Sequence, residues 1–346
     1  MPTTRERWPA VLRGCAYGDA WGNLNEFMSY GQLTAHDKRG PDMPTYLTIT
    51  DDTQMTLSLA RALDGAPDRT AQQTRDQVIA EWVEWLDDPD NHRAPGTTCL
   101  RATRALKDGS PWFDATVMWS DGCGTVMRVS PCAFLPDGVR QPAALWQAAT
   151  THGGPGGLFA SVIAAEVIHF AAELTPGRVV ESALDMIHSA ESSWKDRVTS
   201  WVEDKLPVPD RELGTIPLLQ HIDIGRAQVV DALTNAQRAV PAFQQNPFGD
   251  DPCTFGGAGW RAHECLATAL LCVDAVPDDP KEALRRATVT DGDSDSIAAV
   301  AGAILGALHD NPWPAEWFDR LEPRYRDWIS KADGYRFDAE HAGAVG

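Results

Sequence analysis

No two of the seven cysteines are spaced as a C-x-x-C pair, and their number is odd. That pattern gives neither a zinc ribbon nor a disulfide framework, so the scattered thiols are expected to be free, as in a reducing cytosol. No run of Lys and Arg occurs, and the formal net charge is −19. Such a surface repels a nucleic-acid backbone and an anionic membrane, so neither is expected as a main partner. The first fourteen residues carry charges and prolines instead of the apolar stretch of a signal peptide. Nowhere does a run approach the roughly 20 apolar residues of a membrane span. Period-2 alternation, internal repeats and low-complexity linkers are also missing. The expectation left standing is a cytoplasmic, all-α chain of one domain over residues 1–346, with a core from about 8 to 331 and a loose tail at 334–346.

What is present concentrates near the C-terminus, where Thr290-Asp291-Gly292-Asp293-Ser294-Asp295-Ser296 runs into an apolar stretch. Ile297, Val300, Ala301, Ile304, Leu305 and Leu308 recur at helical spacing, and small residues fill most of the remaining face. The helix therefore reads as buried, with close neighbours all round. One Asp or Ser would suffice to cap it. Three carboxylates beside a buried helix need a counter-charge, and a hard divalent cation suits oxygen donors. A second cluster, Thr50-Asp51-Asp52-Thr53, opens a helix roughly 240 positions upstream. Either cluster alone is explained by capping; the two together point to a shared metal site.

Helices are expected over 8–20, 52–63, 70–86, 100–106, 158–170, 260–273, 281–287 and 315–331, with one after Val179 and two or three between Val198 and Ala239. Tyr46 to Thr50 is the one extended candidate. The polar, Gly- and Pro-rich loops between them carry the chemistry-bearing residues. Glu26 lies between Leu24 and Phe27, where an apolar setting would raise a carboxyl pKa toward general acid or base work. Gly122-Cys123-Gly124 before Thr125, Val126, Met127 and Arg128 reads as a glycine turn opening a helix, able to cradle phosphate. Cys123 has no histidine beside it and is rejected as a nucleophile. His152 sits in a tight Thr-His-Gly-Gly turn, as a phosphate or hydroxyl donor or a turn residue. His263-Glu264 is followed by Ala267 where a zinc protease needs its second histidine, so that motif fails. Gly256-Gly257-Ala258-Gly259 would allow close approach of a ligand, with Trp260 for stacking, but no strand precedes it as a dinucleotide fold requires.

The ordered set Gly14 to Ala20 with Glu26, Thr50-Asp51-Asp52-Thr53, Gly122-x-Gly124 with Met127-Arg128, Thr151-His152-Gly153 and Gly292 to Ala298 resembles the ADP-ribosylglycohydrolases. The resemblance runs from about Arg13 to Leu308. It implies a compact orthogonal helical bundle holding two Mg²⁺ or Mn²⁺ ions, and removal of ADP-ribose from a modified target. By the same resemblance Thr50, Asp51, Asp52, Asp293, Asp295 and Ser296 would be metal ligands and Glu26 the catalytic glutamate. Gly96, Gly122, Cys123, Gly124, Thr125, Met127 and His152 would line the ADP-ribose pocket. Ser296 stands where threonine is common, Cys123 for asparagine, and Asp291 for glycine; the Thr254 to Trp260 loop departs from the family pattern. The implied substrate is an ADP-ribosylated protein or small molecule, with an arginine N-glycosidic link favoured over serine or nucleic-acid links. ADP-ribose is the product. A non-catalytic ADP-ribose-binding protein is the competing reading, and a metal phosphohydrolase is short of histidines.

Overall fold

Two helices touching backbone to backbone set the frame. In the computed structural model, which describes residues 5–189, 208–210, 214–216 and 218–337, α1 (Trp8–Gly22) runs antiparallel to the late helix Ser294–Leu308. Ala10 faces Gly306, Gly14 faces Gly302, Gly18 faces Ala298 and Gly22 faces Ser294, a step of four on each helix in opposite directions. A Cβ added at Gly302 would lie 2.0 Å from the Gly14 carbonyl oxygen, and one at Gly18 2.0 Å from that of Ala298. Only glycine permits this approach, and the i, i+4 spacing places all four contacts on one face.

Around this pair, in chain order, lie α2 (Asp51–Leu63), α3 (Ala71–Leu86), α4 (Thr97–Lys107), α5 (Arg140–Ala149), α6 (Pro155–Phe170) and α7 (Val179–Ser189). They are followed by α8 (Leu218–Gln245), α9 (Ala262–Ala275), α10 (Pro280–Thr288), α11 (Ser294–Leu308) and α12 (Pro323–Ala332). Local sequence explains several starts. Thr70 and Gln73 form a reciprocal capping box on α3, and Asp279 caps α10 just before Pro280. Helix α8 packs on α6 and α9, while α9 and α10 both pack on α11. The buried apolar side chains form one contiguous cluster from Trp8 to Phe337. Trp8 meets Phe134 and Phe337 edge-on, with centroids 5.2 and 5.1 Å away. Phe337 is thus packed into the core, and the part of the expected tail beyond it, 338–346, lies outside the described residues.

The all-α expectation holds, with five corrections in detail. Cys123–Thr125 is a single 3-10 turn, followed by another at Ser130–Phe134, so no α-helix opens at the glycine turn. The expected last helix is two: a turn at Ala315–Phe318, then α12 from Pro323, whose ring cannot continue a preceding helix. The segment around Leu47 makes one parallel bridge to Leu321, and a short antiparallel hairpin pairs Val208–Asp210 with Gly214–Ile216. Most of the stretch expected to hold several helices after Val198 lies outside the described residues; the part seen from Leu218 is one long helix with Pro241 inside its last turns. Finally, Pro155–Glu173 is 19 residues long and apolar enough to cross a membrane, contrary to the reading that no run approaches that length. Its apolarity has a local reason, since 83% of the window is buried inside the protein.

Candidate functional site

The close helix pair ends where α1 gives way to Asn25, Glu26 and Phe27 and where α11 begins, and there a cleft of about 560 Å³ opens. Asp51 and Asp52 from the first turn of α2 enter it, as do Asp293, Asp295 and Ser296 from the start of α11. The two aspartate-bearing helix starts therefore meet. Glu26, Gly96, Gly122, Cys123, Gly124, Met127 and His152 line the same cleft. Thr50 and Thr125 stand behind it: Thr50 is the N-cap of α2, and the buried Thr125 hydroxyl donates to the Gly122 carbonyl.

Capping does not account for the carboxylates. On α2 the Thr50 hydroxyl accepts from Asp52 N at 3.3 Å, which leaves both aspartate side chains unused as caps. On α11 the N-cap residue Asp293 makes no side-chain capping bond. Asp52 Oδ2 and Asp293 Oδ2 are buried with no hydrogen-bond partner. Buried carboxylate oxygens without donors are costly, and their neighbours are more carboxylates. Ligand atoms of Glu26, Asp293 and Asp295 lie within 4.8 Å of one another. Burial first, and then the charges of Asp295 and Asp19, push the Asp52 carboxyl well above the usual range; burial and Asp295 do the same for Asp293. Glu26 is pushed up to about 8 by burial and by Asp295 and Asp19. The expected cause was the apolar flanks, but Leu24 and Phe27 are 59% and 80% exposed and contribute little of that burial. A donor set of acidic oxygens with orphaned lone pairs fits a hard divalent cation.

Asp19, quoted in the sequence only as part of a glycine-rich motif, organises one half of this cluster. Its fully buried carboxylate accepts from Thr50 N and Thr53 N, each at 3.0 Å, and from the Thr53 hydroxyl. It therefore ties the end of α1 to the start of α2. Asp51 Oδ2 accepts from Gly96 N at 3.2 Å, and Ser296 N donates to Asp295 Oδ1 at 3.0 Å, fixing two more carboxylates.

The glycine turn has a different reason from the one expected. A Cβ at Gly122 would lie 3.0 Å from His152 Nε2, and one at Gly124 2.9 Å from Cys99 Sγ and 3.0 Å from His152 Cε1. The two glycines make room for the His152 ring; they do not begin a phosphate-binding helix. His152 Nδ1 is 2.7 Å from Thr151 Oγ1, and burial and the Arg128 charge hold the imidazole neutral. Arg128 is itself fully buried, donating to Gln147 and to Thr151 Oγ1 at 2.7 Å, with its guanidinium 4.4 Å from the Trp82 ring centroid. Cys123 remains a protonated thiol, since burial and Asp293 raise its pKa well above the ordinary value. All seven cysteines are free. Asp291 is exposed, outside the cleft, with its N–H on Asp251 Oδ1. Trp260, by contrast, lies at the cleft mouth.

Fold and site together define an all-α protein with an acidic, cation-seeking cleft built where two distant helix starts meet. A family model described as ADP-ribosylglycohydrolase matches residues 1–342, and the chain belongs to that family. It is 25% identical to the ADP-ribosylhydrolase ARH3 of Xenopus tropicalis, over 97% of this chain and 93% of that protein. It is 26% identical to the uncharacterized protein YegU of Escherichia coli, with 88% of each covered. An ADP-ribosyl-[dinitrogen reductase] glycohydrolase of Rhodospirillum rubrum is 31% identical over 44% of this chain and 54% of its own length. A solved ADP-ribosylglycohydrolase-related protein complex superposes with a TM-score of 0.61 at 22% identity, covering 96% of this chain and 98% of that one. This last likeness establishes the shared fold.

Proposed function

We propose that the protein is a divalent-metal-dependent hydrolase that releases ADP-ribose from a modified target, with an arginine N-glycosidic link as the bond cleaved. The observation that carries the proposal is the set of five clustered carboxylates in one cleft, two of them with buried oxygens that have no donor. Two Mg²⁺ or Mn²⁺ ions fit these oxygens; Asp51, Asp52, Asp293, Asp295 and Ser296 would hold them, with Thr50 at the α2 cap beside them. Ions held there would neutralise the aspartates and supply Lewis-acid binding for the ribose hydroxyls.

The chain's own groups supply the rest. Glu26 reaches the cluster from a segment separate from both aspartate pairs, and in this reading it is the proton-transfer group for the anomeric carbon. As the C1″–N bond breaks, positive charge develops on the sugar and the surrounding carboxylates stabilise it. Glu26 takes a proton from the water whose oxygen bonds to C1″ as the C1″–N bond breaks, and returns that proton to the departing guanidine nitrogen. The neutral His152 and the backbone at Gly122 and Gly124 line the wall open to the remainder of the nucleotide. Among the described residues no Lys or Arg lines the cleft, which favours a cationic leaving group such as guanidinium. The ARH3 and Rhodospirillum relatives, named for hydrolysis of ADP-ribosyl groups, support the reaction class.

The test is incubation with arginine-linked and serine-linked ADP-ribose, in Mg²⁺, in Mn²⁺ and in EDTA. Release of ADP-ribose from the arginine substrate, abolished by EDTA, is expected. Glu26→Gln should lower kcat by 10²–10⁴-fold, the range for loss of an acid–base group, with metal binding retained. Undiminished turnover in that variant would remove Glu26 from the mechanism, and preference for the serine substrate would overturn the linkage.

A further inference from the structure

The seam between α1 and α11 has a second end, and a cavity of about 470 Å³ opens there. From Ala10 and Gly306 at that end to Gly22 and Ser294 at the acidic cleft is twelve residues of α1, about 18 Å at a rise of about 1.5 Å per residue. None of the residues lining this cavity lines the cleft. Its floor is buried and cationic. Arg7, 9% exposed, donates through Nη1 to the Ala307 carbonyl near the end of α11, and its buried Nε has no partner. His309, the C-cap of α11, likewise has a buried Nε2 without a partner. Buried groups of this kind cost free energy unless something bonds to them. Aromatic rings form the wall. Trp313 donates its indole N–H to the Ala10 carbonyl and meets Tyr17 edge-on, with centroids 6.0 Å apart. Phe318 lies beneath the Arg13 guanidinium, which is already paired with Asp333 at 2.6 Å. The acidic lining residues, Glu6 and Asp310, are exposed and sit at the rim.

We infer that this cavity binds a small organic anion, its carboxylate or phosphate head on Arg7 and His309 and its apolar body against Trp313 and Phe318. A guanidinium is always charged and presents N–H groups that suit an oxyanion. Both orphaned nitrogens belong to side chains that line the same cavity, so one head group serves both. His309 then carries its proton on Nε2, the tautomer that donates there. A single water would satisfy either nitrogen, but the cavity is many times the roughly 30 Å³ share of one water, and its aromatic wall offers water no partner. A cation is disfavoured, because it would meet Arg7 on the floor while the carboxylates stay outside at the rim. The volume falls within the range of about 300–1,000 Å³ usual for small-molecule sites. An occupant would touch α1 at Arg7 and Ala10, α11 at Gly306 and the following segment at Trp313. It would therefore brace three segments that the Arg7–Ala307 and Trp313–Ala10 bonds already join. Its chemistry owes nothing to the bond cleaved at the other end of the seam.

The experiment is calorimetric titration of the Mg²⁺-loaded protein with benzoate, with phenyl phosphate and with benzamidine as the cationic counterpart, each with and without excess ADP-ribose. The variants are Arg7→Gln, Arg7→Lys, His309→Ala and Ala315→Trp. Ala315 is an exposed lining residue, so the last variant fills the cavity without removing a side-chain hydrogen bond. Saturable binding of benzoate or phenyl phosphate at one site per chain is expected, unchanged by ADP-ribose, with none of benzamidine. The stronger of the two anions tells a carboxylate site from a phosphate site. Arg7→Gln should weaken binding about tenfold or more, His309→Ala by less, and Arg7→Lys should keep part of the affinity because charge remains without the fork. Ala315→Trp should abolish binding while its melting temperature without anion stays near that of wild type. If Arg7→Gln does not fold, Ala315→Trp and His309→Ala carry the same decision. No saturable anion binding to wild type would overturn the inference, as would undiminished binding in Ala315→Trp or a preference for benzamidine. Displacement of the anion by ADP-ribose would put it in the acidic cleft and overturn the inference too.

Discussion

Replacing Asp19 with alanine separates the support of the acidic cleft from the support of the fold. The variant leaves three buried donors, Thr50 N–H, Thr53 N–H and the Thr53 hydroxyl, without the carboxylate that takes them. Each unsatisfied donor costs about 1–3 kcal/mol. A compensation runs the other way: burial and the Asp295 charge raise the Asp19 pKa to about 7, so its removal relieves repulsion in metal-free protein. Metal-free unfolding should therefore lose only about 2–4 kcal/mol, less than three orphaned donors would suggest. Metal affinity falls as well, because the Thr50-Asp51-Asp52 segment loses its tether to α1. Removing a group that orients ligands from behind costs about 10–100-fold in metal affinity, or about 1.4–2.8 kcal/mol. The assays are Mn²⁺ titration by calorimetry and urea unfolding in EDTA, on wild type, Asp19→Ala and Asp19→Asn. Asparagine keeps one acceptor oxygen and should fall between the other two. Unchanged Mn²⁺ affinity in Asp19→Ala, with stability alone reduced, would refute the positioning role.

Two further outcomes follow from the same geometry. In EDTA, stability should fall as pH rises from about 4 to 8: Glu26 and Asp19 have folded values near 8 and 7 against ordinary values of 4.5 and 3.8, so the folded state holds more protons in that window. Melting temperature measured across this range should slope downward in EDTA and flatten in excess Mg²⁺; a flat profile in EDTA would contradict the carboxylate repulsion. Gly302→Ala should destabilise by about 1–3 kcal/mol by forcing α1 and α11 apart, whereas Gly31→Ala, with nothing within 4 Å of the added carbon, should be near neutral, both read by urea unfolding.

Much of the site was legible because metal-type chemistry uses side chains at helix starts, where sequence marks them by type and spacing. Asp51, Asp52, Asp293 and Asp295 could be paired from their like settings alone, and the small face of α11 announced a close neighbour. The identity of that neighbour was not legible: Gly14, Gly18 and Gly22 match Gly302, Ala298 and Ser294 only once the helices are antiparallel. Asp19 was missed because an acidic residue at the end of a helix gives no local sign that its acceptors serve a loop thirty residues on. The glycine turn misled for a similar reason. Gly122 and Gly124 signal a backbone under crowding, but whether a phosphate or the His152 ring does the crowding is a long-range fact. Trp260 was seen as an available aromatic face, yet its partner Phe27 came to it only through the fold.

The glycine and alanine contacts between α1 and α11 also bear on what can be redesigned. A slip of one residue along that pair would rotate Asp295 by about 100° around its axis and carry it out of reach of Asp51. Selection for new acceptors, in nature or in the laboratory, is thereby steered to the rim, where the Phe27 and Trp260 side chains are exposed, and away from the seam that keeps the reaction centre in register.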